Sequence, residues 1–279
     1  MKKILFVFGA AALMASCAKQ GPVAVPQPAP MSEISFVMEG GMDFAVTKAE
    51  AVTSLESFSV IAENSVPAQV WALPSVTRNG NTYATGKMWP ATDLQYSFYA
   101  SNAAMSYDAA GTTVSVADAD TDIVVAYSQY QSANYRQAVP LTFNHIFARI
   151  GSVSVPAPDG YSIEVSSVKI SGEVSGTYDI KKGEWIEPST PSPSDMDLQV
   201  GDNDLYMVPG SSTISVTYTL EKGDYRNTFT KSGTVEIAQG LVNNITARPT
   251  LSSDEGANDI VFGVTLTEWG KKDHDLNLN

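Results

Sequence analysis

Two histidines, His145 and His274, and one cysteine, Cys17, are the only imidazole and thiol groups in the 279-residue chain. His145 stands among Phe143, Ile146 and Phe147, which reads as a hydrogen-bonded structural imidazole, and His274 lies in a polar C-terminal tail. Neither has a Cys or His at metal-binding spacing, so no metal site is expected. Asp118, Asp120 and Asp122 open like a calcium loop, but Ile123 takes the sixth position, where Gly is needed. Gln129 takes the twelfth, where a bidentate Glu is needed, so the run reads as loop charge. Ser166-Ser167-Val168-Lys169 has the S-x-x-K spacing of a serine acyl-enzyme, yet that serine must open a helix and IEVSSVKI alternates as a strand. G-x-S-x-G, P-loop and dinucleotide fingerprints are absent. Trp71, Trp89, Trp185 and Trp269 are scattered through strands and turns, which suits packing better than sugar stacking. No catalysis and no cofactor are expected.

With reactive side chains set aside, the elements come forward. The composition is 43% hydrophobic and 17% charged, rich in Val, Ser, Thr and Tyr, which favours β structure over disorder. The net charge is −13, and losing Lys2 and Lys3 with a leader, which takes no acids, brings it to −15. Such a surface repels phosphate backbones, so nucleic acid is excluded as a partner. A single Cys leaves no internal disulfide, so packed strands must carry the stability.

Lys2-Lys3 followed by the apolar run Ile4–Met14 reads as a secretory signal, too short for a spanning helix of about 20 residues. Ala15-Ser16-Cys17 resembles a lipobox, which makes Cys17 the lipidation site and residues 1–16 the signal peptide, with Met14 where Leu is preferred. Residues 17–32 hold Pro22, Pro26, Pro28 and Pro30 and form a semi-extended tether from lipid to folded body. Ile34, Phe36 and Met38 then alternate as a short strand ended by Gly40-Gly41. Lys48 is the only basic residue between Lys19 and Arg78, an isolated target for a trypsin-like protease.

Strand-like runs recur about every ten residues with no helical period, which predicts sandwiches. The strongest is VPLTFNHIFARIGSVSV, Val139–Val155, apolar at odd positions first and at even positions from Ile146. Either both faces are buried or a bulge shifts its phase. DIVVAY (Asp122–Tyr127) precedes it across a polar spacer, which suggests a domain boundary there: 33–133 and 134–279. Glu187–Asp204, with three prolines and four Asp, reads as a long loop.

These pieces carry a family resemblance. DIVVAY, LTFNHIFARI, Met88-Trp89-Pro90 before a hydrophobic strand, Leu205-Tyr206-Met207-Val208-Pro209 and a terminal strand closing on Trp269 resemble the fimbrillin (type V pilin) family of exported lipoproteins. The resemblance implies an all-β chain of two transthyretin-like (Greek-key) β-sandwich domains in tandem. It further implies a pilus subunit or adhesin, anchored in the outer membrane by lipid. Such precursors are cut after Arg or Lys beyond the first strand, which points to Lys48, and other fimbrial subunits then bind by β-strand addition. Ile260, Phe262, Val264 and Leu266 alternate on the last strand and make it the candidate donor. The other reading is a monomeric surface lipoprotein that binds a host or glycan ligand through Trp or Tyr platforms.

Overall fold

We describe the protein from a computed structural model, which covers residues 32–39, 44–47, 50–52, 55–65, 70–108, 110–187, 191–251 and 259–269. Strands dominate, and the only helical piece among the described residues is one short turn at Ser132–Asn134. In chain order the first strands are β1 (Glu33–Met38), β2 (Phe44–Thr47), β3 (Glu50–Val52), β4 (Ser57–Asn64), β5 (Val70–Asn79) and β6 (Thr82–Met88). They continue with β7 (Gln95–Ser101), β8 (Met105–Asp108), β9 (Gly111–Val116), β10 (Val124–Gln131), β11 (Val139–Leu141) and β12 (Asn144–His145). The remainder are β13 (Ala148–Ser154), β14 (Ser162–Gly172), β15 (Gly176–Asp179), β16 (Glu184–Ile186) and β17 (Ser194–Leu198). Then come β18 (Gly201–Met207), β19 (Gly210–Lys222), β20 (Tyr225–Ile237), β21 (Leu241–Thr250) and β22 (Asp259–Glu268).

The first eight-stranded sheet runs β11-β1-β6-β5-β4-β7-β10-β12. It folds over on itself through β5, whose first part pairs with β4 and whose last two residues, Arg78 and Asn79, pair with β6. The fold encloses one core, in which Ile34, Phe36, Tyr83, Val139 and Leu141 from one half meet Phe58, Val60, Phe98, Ala100 and Val124 from the other. Asn79-Gly80-Asn81 makes the turn between β5 and β6 with Gly80 at φ +63°, a conformation that costs Gly little. The outer face of the β4-β7-β10 portion is apolar too: Ile61, Tyr99 and Val125 pack on Val114, Val116, Tyr178 and Ile180 of a further layer. That layer is the four-stranded sheet β16-β15-β9-β8. Its hairpin β15–β16 leaves the C-terminal part of the chain to pair with β9, Gly176 opposite Val116. A third core lies between the sheets β18-β13-β21-β22 and β17-β14-β19-β20, where Ile150, Val168, Ile170, Ile214, Val216, Tyr218 and Ile245 are buried.

Val139–Val155 is therefore not one strand. It serves three cores in succession: Val139, Leu141 and Phe143 enter the first, Ile146 and Phe147 the middle one, and Ala148, Ile150 and Val153 the last. Each change of core resets which face is inward, and that is the phase shift visible in the sequence. β11 pairs in parallel with β1 and β12 pairs with β10, so the chain passes residue 134 without leaving the first sheet. The acidic stretch before Asp204 is also more ordered than its composition predicts. Ser194–Leu198 forms β17 against β14, with Leu198 buried and Met196 half-buried on the inner side and Asp195 and Asp197 outward.

Candidate functional site

β1 is the second strand of the folded first sheet, between the edge strand β11 in parallel and β6 antiparallel. Alternation dictates which side chains turn inward. Ile34 and Phe36 are fully buried, and the Phe36 ring meets Phe98 edge-on at 5.2 Å between centroids and Phe58 at 6.1 Å. The backbone of β1 is held as tightly as its side chains. Thr85 Oγ1 donates to the Ile34 carbonyl at 2.6 Å, and the N–H groups of Trp89 and Glu39 reach the carbonyls of Ser32 and Leu141 at 3.0 and 2.9 Å. Ser32 Oγ donates to the Tyr135 carbonyl, and Glu33 Oε1 accepts from the Gly86 N–H at 2.5 Å.

The side chains around this seat are its liners. Tyr83 donates its hydroxyl to the Leu55 carbonyl at 2.5 Å and lies 3.1 Å from Met38 Sδ. Burial raises its phenol pKa, so it stays a neutral donor. Trp89 is buried in the same core, stacked on Tyr130 at 5.8 Å and edge-on to Tyr96 and Phe98. Of Met88-Trp89-Pro90 it is thus Trp89 that enters the first core, with Met88 exposed. The ladder of β1 is short: three residue pairs on each side, with a register shift between Glu33 and Ser35. Beyond it, β2 and β3 pair only with each other among the described strands, Thr47 opposite Glu50. Lys48 lies between them, outside the described residues, as do Cys17 and His274.

The terminal strand β22 pairs with β21 over ten residues without a register shift, from Leu241↔Glu268 to Thr250↔Asp259. Ile260, Phe262 and Val264 face the third core. Phe262 sits on Gly233 of β20, where an added Cβ would come within 2.5 Å of its ring. Leu266, fourth on the same face, is 48% exposed and stands outside the third core. Trp269 closes the strand. Its ring stacks on His145 at 4.1 Å with an 8° tilt and on Tyr206 at 5.6 Å with a 1° tilt. His145 Nδ1 is hydrogen-bonded to the Asp122 carboxylate at 2.8–2.9 Å, with both side chains buried. Asp122, the third member of the D-x-D-x-D run, therefore anchors an imidazole. Tyr206 is pushed up to about 12, by burial first and by Asp204 and Asp122 next. Sequence reasoning missed this stack. The signal for it was three aromatic or imidazole groups at strand ends, but spacing alone does not say that they converge.

The arrangement offers no converging acid, base and nucleophile among the described residues. What it offers is one strand seated by main-chain bonds and two buried rings, and another strand at a sheet edge. A family model described as fimbrillin-like matches residues 31–269, the whole of this β body. The chain is a member of the fimbrillin-like family. Solved structures are similar to this chain as well. A candidate cell adhesion protein from Bacteroides uniformis superposes with a TM-score of 0.50 at 13% identity, covering 85% of this chain and 98% of that one. A fimbrial assembly protein from Parabacteroides distasonis gives a TM-score of 0.40 at 14% identity, covering 85% and 99%. No curated protein matches the chain.

Proposed function

We propose that this fimbrillin-like protein is a surface lipoprotein that assembles with other fimbrial subunits by exchanging β strands. In this reading residues 1–16 direct export, and until the chain is cut Cys17 carries the outer-membrane lipid anchor and residues 17–32 hold the body clear of the membrane. A protease cuts after Lys48. The observation that carries the reading is the seat of β1: a strand flanked on both sides, buried through Ile34 and Phe36, whose covalent link onward to β4 runs through residues 39–56. Once that link is cut, β1 is held only by non-covalent bonds. Its loss would open a groove lined by Phe58, Tyr83, Phe98 and Leu141, with unpaired backbone on β11 and β6. Such a groove accepts a strand from another copy.

The donor follows from cost. Ile260–Leu266 has the right alternation, but three of its four apolar side chains already fill the third core. Withdrawing them forfeits about 1.5–3 kcal/mol each. The residues after Trp269 carry Leu276 and Leu278 at the spacing of Ile34 and Phe36. That pair supplies the alternation a groove takes, so donation in this reading begins beyond Trp269 and β22 keeps its place in its own sheet. The test is limited trypsin treatment of the purified chain with Lys48→Ala as control. The proposal expects multimers resistant to mild detergent from the cut protein and none from the control. Clean cleavage at Lys48 that leaves a monomer would remove it. For a glycan-binding monomer, the four Trp side chains are half-buried or buried, and Tyr107 is the exposed Tyr among the described residues.

A further inference from the structure

Edges of sheets invite other strands, and folded proteins guard them with short length, Lys, Pro, acidic side chains or bulges. Most edges here are guarded. β12, β16 and β8 have two, three and four residues, and β11 has three with Pro140 among them. β17 shows Asp195 and Asp197, and β18 carries Asp202 and Asp204 and a register shift against β13. β20 has Arg226, Lys231 and Glu236 along it. β22 differs from all of them. It runs ten residues in unbroken register, and its only charges are Asp259 and Glu268 at its two ends. Val261, 59% exposed, and Leu266 add uncovered apolar surface, and among the described residues nothing pairs with its outer side.

We propose that this edge binds the same edge of a second copy, antiparallel about a two-fold axis at Gly263, to make one continuous eight-stranded sheet. The register follows from parity and charge. Only pairings that set even residues opposite even ones keep both cores on the same side of the joined sheet. Centring on Gly263 does this, placing Ile260 opposite the second copy's Leu266, Phe262 opposite Val264, and Val261 opposite Thr265. The half-exposed Leu266 thereby gains an apolar neighbour. Asp259 meets Thr267 rather than Glu268, so no like charges face each other, whereas the register pairing the two strand ends would oppose Asp259 to Glu268. Gly263 meets Gly263 at the axis, where neither side chain obstructs the approach. A second copy is the occupant because this strand satisfies its own pattern in that register. The groove left by β1 lies in a different sheet, and the variants below leave Lys48 and β1 untouched.

The test uses the chain from residue 17 onward with Cys17→Ser, so that no acyl chain drives association. Sedimentation equilibrium should show a monomer–dimer equilibrium for this parent. Val261→Lys with Thr265→Lys places Lys opposite Lys twice across the axis and should weaken the dimer about tenfold or more. Val261→Lys with Thr265→Glu places Lys opposite Glu twice and should restore it to near the parent. Both positions are exposed, and equal thermal midpoints would confirm that folding is unaffected. A parent monomeric up to about 200 μM, weaker than the affinity class of a specific pair, would overturn the proposal. So would equal association of the two charge variants.

Discussion

Replacing Phe36 by Ala in the cut protein should release β1. Phe36 is fully buried, with edge contacts to Phe98 and Phe58, and removing a core Phe costs about 3–5 kcal/mol. At 1.4 kcal/mol per factor of ten, the hold on a detached β1 falls by about a hundredfold to a few thousandfold. In the uncut chain the covalent link keeps β1 at high effective concentration, so the same substitution should lower stability yet leave the strand in place. The assay is cleavage after Lys48, followed by size-exclusion chromatography and mass spectrometry of the retained peptide. Cut parent protein should keep its N-terminal peptide through the column, whereas cut Phe36→Ala should elute without it and form multimers sooner. Equal retention in both would show that Ile34 and Phe36 do not hold the strand, and the reasoning from its seat would fail.

Gly233→Ala should cost about 1–3 kcal/mol by overpacking against Phe262, read as a lower urea midpoint with an unchanged slope. Asp122→Ala leaves the buried His145 without its carboxylate, and a loss of about 1–3 kcal/mol is expected, with a shift in Trp269 fluorescence because that ring lies on the imidazole. Tyr206 is raised from its ordinary 10.0 to about 12, so its share of stability is whole below pH 10.0 and lost as pH rises through about 12. Tyr206→Phe should flatten that alkaline decline in a pH series of thermal midpoints. Asp179 runs the other way. Burial pushes its carboxyl up, but the backbone N–H groups of Lys181 and Lys182 and the Lys182 ammonium together bring it below 3.8. Its share is whole above pH 3.8 and lost as pH falls through the lowered value, and Asp179→Asn should remove that acid decline.

Much of the fold was written in alternation. Ile34, Phe36 and the strands of the third core follow from which side chains are apolar at every second position. Alternation says which face is inward, but not which strand lies alongside. That is why the pairing of β15 with β9, more than fifty residues earlier, could not be read from the sequence. Val139–Val155 had the opposite difficulty. Its apolar residues on both faces were plain, but one strand buried on both sides and a chain threading three cores leave the same pattern. Leu266 shows a third limit, for it keeps the period of Ile260 and Phe262 while standing outside the core that takes them. The acidic run before Asp204 hid β17, since an edge strand needs only Met196 and Leu198 on its inner side. At the candidate site the first strand was legible and the stack of His145, Trp269 and Tyr206 was not. Three strand ends meet there through contacts between residues far apart in the chain.

The most direct measurement is a lock on β1. Ser35 of β1 pairs with Ala84 of β6, so Ser35→Cys with Ala84→Cys, in a Cys17→Ser background, can tie the strand into its sheet. Under strand exchange the oxidised protein, cut after Lys48, should stay monomeric, and adding reductant should start multimer formation. Multimers forming equally well with the strand still tied would contradict strand exchange.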